Sequence, residues 1–119
     1  MTETIDDRPS THDPREEVVL ALTTVPDGPL GEAIANALVT ERLAACVNVH
    51  GPMSSTYRWR GGVEHDAERQ VVIKTTRARV DAVRERISQL HSYDLPEFLV
   101  VPVAGGSPRY LEWVLSETA

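Results

Sequence analysis

Apolar residues recur along the chain at two alternating periods, and the switches between them divide it into elements. Glu17-Val-Val-Leu-Ala-Leu-Thr-Thr24 is a continuous apolar run, short enough for a buried strand, and Val25-Pro26-Asp27-Gly28-Pro29 breaks it. Leu30, Ala33, Ile34, Ala37, Leu38 and Leu43 then follow helical spacing, which predicts a one-faced helix over 29–42. Asp27 and Pro29 supply the chemistry of its start. From Ala44 to His50 the pattern alternates, with Ala45, Val47 and Val49 on one face and Cys46, Asn48 and His50 on the other. Gly51-Pro52 interrupts this strand, 56–60 resume it, and Gly61-Gly62 signals a tight hairpin.

The return strand runs over 63–76 and carries its apolar end at Val71-Val72-Ile73. Strands this long exceed the usual five or six residues and must project beyond a small sheet. Such an arm exposes edges that pair with another chain, so the pattern predicts an oligomer. Val80, Val83, Ile87 and Leu90 form one stripe of a second helix over 78–90, with Arg77 and Asp81 as an i,i+4 charge pair. Residues 91–96 read as a loop and 98–104 as a last strand, with Pro102 at an edge or bulge. Gly105-Gly106 turns, Ser107 caps, and Pro108 opens a short closing helix. The order predicts an α+β fold: a ferredoxin-like βαββαβ antiparallel sandwich with an extended β-hairpin and an extra C-terminal helix.

The chain has 119 residues, the size of one domain, and a net charge of −6. Residues 1–17 hold six acids against two bases, so −4 of that charge is N-terminal and the other 102 residues carry only −2. Without apolar periodicity, residues 1–16 read as a mobile acidic tail ahead of a single domain over 17–119. The tail lacks the basic and apolar regions of a signal peptide, and no apolar run reaches the ~20 residues of a membrane span. The expected location is cytoplasmic. A sequence pI of about 5.1 argues against a chain-wide basic surface for nucleic acid or membranes. One cysteine excludes an intrachain disulfide, a zinc ribbon and a CxxC redox or metallochaperone loop.

No catalytic constellation emerges, and the chain is read as a non-enzyme. Cys46 and His50 share a strand face but lie about 13 Å apart at ~3.3 Å per residue, so neither can activate the other. Cys46 is either a small buried hydrophobe or a ligand whose partner comes from another element or another subunit, His91 being the better candidate. Lys74, the only lysine, is either a strand-end cation reaching solvent or an anion clamp. Glu64, Asp66 and Glu68 share a strand face; the nearby Arg58, Arg60 and Arg69 favour a solvated ion-pair surface over a hard-metal patch. Tyr57 and Trp59 read as a packing surface for another chain, and Glu97 as an ion-pair partner or part of a site with His91 and Tyr93.

Six motifs occur in order: Leu22-Thr-Thr-Val-Pro-Asp27, Leu38-Val-Thr-Glu-Arg-Leu-Ala-Ala-Cys-Val-Asn48, Ser55-Thr-Tyr-Arg-Trp-Arg-Gly61, Ile73-Lys-Thr-Thr76, His91-Ser-Tyr-Asp-Leu-Pro-Glu97 and Tyr110-Leu-Glu-Trp113. Over about residues 17–116 the chain closely resembles the CutA divalent-cation tolerance proteins. The resemblance implies a PII-like homotrimer with interlocked hairpins, tied to tolerance of copper or another divalent cation and holding metal in an intersubunit cleft. It carries Cys46, His91 and Glu97 over as metal ligands, and Tyr57, Trp59, Lys74 and Tyr93 as cleft residues. A Cys/His/Glu set suits copper or zinc rather than calcium. Where the family usually has proline after the histidine this chain has Ser92, which frees the backbone beside His91. No organic cofactor, nucleic acid or membrane partner is expected. The alternatives are a PII-like signalling module binding a small anionic ligand or a partner protein, and a stable structural scaffold.

Overall fold

A computed structural model describes residues 13–119. Most of the acidic tail lies outside the described residues; Pro14–Glu16 form a short 3-10 turn capped by Asp13. The elements follow as β1 (Val18–Pro26), α1 (Leu30–Thr40), β2 (Cys46–Trp59), β3 (Gly62–Thr76), α2 (Val80–Leu90), β4 (Leu99–Pro102) and α3 (Pro108–Glu117). The sheet has the order β2-β3-β1-β4 with antiparallel neighbours throughout. This is the ferredoxin-like sandwich expected from the alternating periods, with α3 added.

The strict alternation of burial in β1 explains the layering. Val19, Ala21, Thr23 and Val25 are buried, whereas Leu20, Leu22 and Thr24 are only half-buried. The buried side meets Ile34 and Leu38 of α1 and Val83 and Ile87 of α2, forming one core with Val71 and Ile73 of β3. Full burial of such side chains stabilises by roughly 1.5–3 kcal/mol each. The two helices thus cover a single face of the sheet. On the other face Leu20, Leu22 and Val72 stand beside Leu99 and Val101, which are exposed.

Several boundaries differ from the sequence pattern for identifiable reasons. β1 continues through Val25 and Pro26 because β3 keeps offering partners as far as Glu68, opposite Pro26. The hairpin turns at Arg60 and Gly61, both with positive φ, so the turn sits one residue earlier than Gly61-Gly62. Asp27 does not cap α1; its carboxylate takes a 2.9 Å bond from Arg69 Nε. Ser107 holds the N-cap position of α3 but makes no side-chain cap bond there. Arg77 and Asp81 do not pair. Residues Arg77–Arg79 form a 3-10 turn ahead of α2, so helical i,i+4 spacing does not apply, and the two instead meet Glu17 and Arg84. β4 is four residues long, shorter than 98–104.

Between His50 and Met53 the β2–β3 register shifts at Gly51-Pro52, whose peptide bond is cis. Gly51 has φ +125°, and a Cβ there would lie 3.1 Å from the Glu68 carbonyl oxygen, so only glycine fits. Beyond this bulge the two strands run on as an arm, and the molecule measures 57 × 31 × 22 Å. Replacing Ile34, which is fully buried between sheet and helix, with alanine is expected to lower the unfolding free energy by about 2–5 kcal/mol in denaturant titration. A loss well under 1 kcal/mol would show that α1 is not packed as described.

Candidate functional site

The β3 residues that point away from the helices are Glu64, Asp66, Glu68, Gln70, Val72 and Lys74. Cross-strand register places Tyr57 opposite Glu64, Ser55 opposite Asp66 and Met53 opposite Glu68. Tyr57 reaches diagonally and donates its hydroxyl proton to Asp66. Above this strip, the loop after α2 crosses the end of β1. Its Tyr93 hydroxyl donates to Glu68 Oε2 at 2.7 Å, and Glu68 is only 6% exposed although it is a carboxylate. Between arm and loop lies a groove of about 770 Å³, walled by Tyr57, Trp59 and Tyr93 and lined by Glu68, Asp94 and Glu97. Among the described residues no lysine or arginine lines it.

His91 positions the loop. The Tyr93 amide donates to His91 Nδ1 at 3.1 Å, so the ring carries its proton on Nε2, which donates to the Thr24 carbonyl at 2.7 Å. The His91 and Tyr93 rings also lie 4.6 Å apart. These contacts hold His91 without help from a proline at position 92. They also engage both ring nitrogens. Glu97 is fixed separately: Gln70 Nε2 donates to its Oε2 at 3.1 Å and to the Thr23 carbonyl at 2.8 Å.

Cys46 lies elsewhere. It pairs in register with Lys74, four positions along β3 from Gln70, which is on the order of 13 Å from the Glu97 anchor. Lys74 Nζ is 3.9 Å from Cys46 Sγ and 6.0 Å from the Tyr110 ring centroid. Within one chain, then, Cys46, His91 and Glu97 do not converge, and an ammonium beside the sulfur opposes a second cation there. Among the described residues no group of three or more His, Cys, Asp or Glu side chains is placed to hold a metal ion. Of the expected cleft residues, Tyr57, Trp59 and Tyr93 meet at the groove, and Lys74 does not. Without it, no lysine or arginine among the described residues lines the groove, although Arg60 lies over the Trp59 ring at its wall.

Glu68 is the residue that the sequence pattern misses. In a row of acids it reads as surface, yet it is buried under Tyr93. Counting the register from the hairpin turn past the bulge would have placed it on the Tyr57 face. Asp66 is likewise tied to Tyr57, and Arg69 is spent on Asp27, so this row is not simply a solvated ion-pair surface.

The carboxylates act on both phenols. The Tyr57 hydroxyl is pushed up from 10.0 to about 12, chiefly by its hydrogen bond to Asp66, then by desolvation and the charges of Asp66, Glu64 and Glu68. Tyr93 is raised as well, first by burial, then by the Glu68 hydrogen bond and by carboxylate charge. Both are neutral donors at physiological pH. A raised phenol pKa means that the folded chain keeps a proton the unfolded chain releases. The stabilisation is therefore complete below pH 10 and is lost as pH rises toward about 12. Phenolate absorbance compared with a Tyr57→Phe variant should place the Tyr57 titration near 12, and Asp66→Asn should bring it back toward 10.0. An unchanged titration in Asp66→Asn would remove the hydrogen bond as its cause.

Comparison with known proteins agrees with this architecture over nearly its whole length. The model of the "CutA1 divalent ion tolerance protein" family matches residues 19–117. The divalent-cation tolerance protein CutA of Thermus thermophilus is 45% identical over 103 residues, covering 87% of this chain and 98% of its own length. The chloroplastic CutA protein of Arabidopsis thaliana is 39% identical over 100 residues, 84% of this chain; the match spans only 55% of that protein, about half its length. Among solved structures, CutA from Xylella fastidiosa superposes with a TM-score of 0.84 at 45% identity, over 87% of this chain and 99% of that one. A structure from Archaeoglobus fulgidus, described as periplasmic, has a TM-score of 0.83 at 29% identity, over 86% of this chain and 99% of that one. The chain belongs to the CutA1 divalent ion tolerance family.

Proposed function

We propose that the chain is a non-enzymatic, cytoplasmic cation-tolerance protein that works as a homotrimer and takes up its cation in the acidic groove of each copy. The observation that carries this reading is the groove itself: Glu68, Asp94 and Glu97 face a space without an opposing lysine or arginine among the described residues. Fields in such a cleft concentrate cations and repel anions. Carboxylate oxygens accept divalent ions of the first transition row, and copper(II) binds most tightly of that series. Water or groups from a neighbouring copy would complete the coordination shell. Within one chain Cys46 lies away from the groove, beside Lys74, and this reading leaves it out of the site.

Assembly is supported by what remains uncovered. Neither α1 nor α2 covers the other sheet face, where the half-buried Leu20, Leu22 and Val72 adjoin the exposed Leu99 and Val101. Antiparallel sheets tolerate one wet face where that face is polar, and the patch of Leu20, Leu22, Val72, Leu99 and Val101 is not. The β2 edge and its arm add a long unpaired row of backbone groups. Further copies of the chain fit both needs.

Two experiments test the reading. Titration calorimetry with copper(II) should show saturable binding that weakens about tenfold in Glu97→Gln and is unchanged in Cys46→Ala. Loss of binding in Cys46→Ala alone would return the site to the thiol. Sedimentation should give three times the 13.1 kDa chain mass, and Val72→Asp should shift it to one. A native monomer would refute the assembly.

A further inference from the structure

We infer that the groove also takes a cation larger than a metal ion, an aliphatic di- or polyamine, its ammonium groups on Glu68 and Glu97 and its methylene chain along Tyr57, Trp59 and Tyr93. The inference rests on the reading of the groove as a cation site and names the class of cation. A bare ion needs several oxygens converging on one point; no three such groups converge among the described residues, so an ion here must draw on water or a neighbouring copy, and a polyamine need not. Glu68, Asp94 and Glu97 line a space of about 770 Å³, within the range of small-molecule pockets.

The walls supply what a polyamine needs and a metal does not. Aromatic faces attract ammonium groups and cover methylenes, whereas they offer a metal no lone pair. Leu95 and Pro96 extend the apolar side of the groove. Arg60 lies 5.5 Å from the Trp59 ring centroid, so this ring already attracts a cation supplied by the chain itself. Both tyrosines remain neutral phenols, their hydroxyl protons given to Asp66 and Glu68. Each ring therefore keeps its π face and a phenolic oxygen able to accept from an ammonium N–H.

Glu68 is the second, independent feature. It is 94% buried, lines the groove, and is engaged through Oε2; among the described residues no bond or ion pair occupies Oε1. Oε1 is not sealed from the groove, so water or the donor of a bound ligand can reach it there. Glu97 repeats the arrangement, with Gln70 on Oε2 and Oε1 unspent. A chain with an ammonium at each end supplies both donors while its hydrocarbon middle stays on the rings.

The full-length chain, dialysed against EDTA, should be titrated calorimetrically with spermidine, and separately with copper(II). Saturable binding of one spermidine per chain is expected, about tenfold weaker in Glu97→Gln and at least about threefold weaker in Trp59→Leu. Copper(II) binding should not change in Trp59→Leu, and spermidine binding should not change in Glu85→Gln, a surface acid on α2. Copper(II) binding without spermidine binding would overturn this inference and leave the cation site standing. Failure of both would overturn the cation site as well. Equal weakening in Glu85→Gln and Glu97→Gln would reduce spermidine binding to diffuse attraction by an acidic protein and also overturn the inference.

Discussion

Everything distinctive in this protein hangs on the unbroken alternation of β3 over fifteen residues, paired with β1 on one side and β2 on the other. A strand carries its side chains to opposite faces in strict turn, so one register determines the surroundings of every residue on it. Val71, Ile73 and Thr75 go to the helices and make the core. Lys74, Val72, Gln70, Glu68, Asp66 and Glu64 go to the open face, where they grade from a cation beside Cys46, through an apolar patch, to an acidic arm. A one-residue slip would exchange the core for the chemistry. The Thr75 hydroxyl bond to the Leu43 carbonyl, at 2.6 Å, helps hold that register at the core end.

The loop after α2 converts the acidic end from a surface into a site. His91 ties it to β1, Gln70 ties Glu97 to both β1 and β3, and Tyr93 closes over Glu68. Each bond joins elements far apart in sequence, so the groove exists only in the folded chain. Its rigidity comes from neutral donors rather than from ion pairs. The carboxylates thus keep their negative charge for whatever enters, while the one lysine is held about six residues farther along the strand, on the order of 20 Å away.

The fold was legible because it depends on periods. Leu30 to Leu38 and Val80 to Leu90 mark helices, and the alternations on either side of the hairpin mark the arm without any contact being known. Tyr57, Trp59 and Tyr93 were legible as companions through their motifs. The failures share one cause: long-range register is not written in local spacing. Within one chain Cys46 faces Lys74, at the far end of β3 from the loop that carries His91, so local spacing says nothing of whether the two meet between copies. Glu68 looked like surface because the loop that buries it lies about twenty-five residues later. Arg77 was assigned a helical partner because the 3-10 turn that displaces it has no distinct apolar period.

The central claim is that the groove beside Trp59 presents a negative field to its ligand, and ionic quenching of Trp59 fluorescence reads that field directly. The chain has two tryptophans, so a Trp113→Phe variant reports from Trp59 alone. Caesium should quench this emission more strongly than iodide, relative to free tryptophan, and the excess should fade as salt screens the field over about 10 Å at 0.1 M. Quenching by iodide equal to or greater than that by caesium would contradict the account, since it would mean that the carboxylates of the groove do not govern what approaches it.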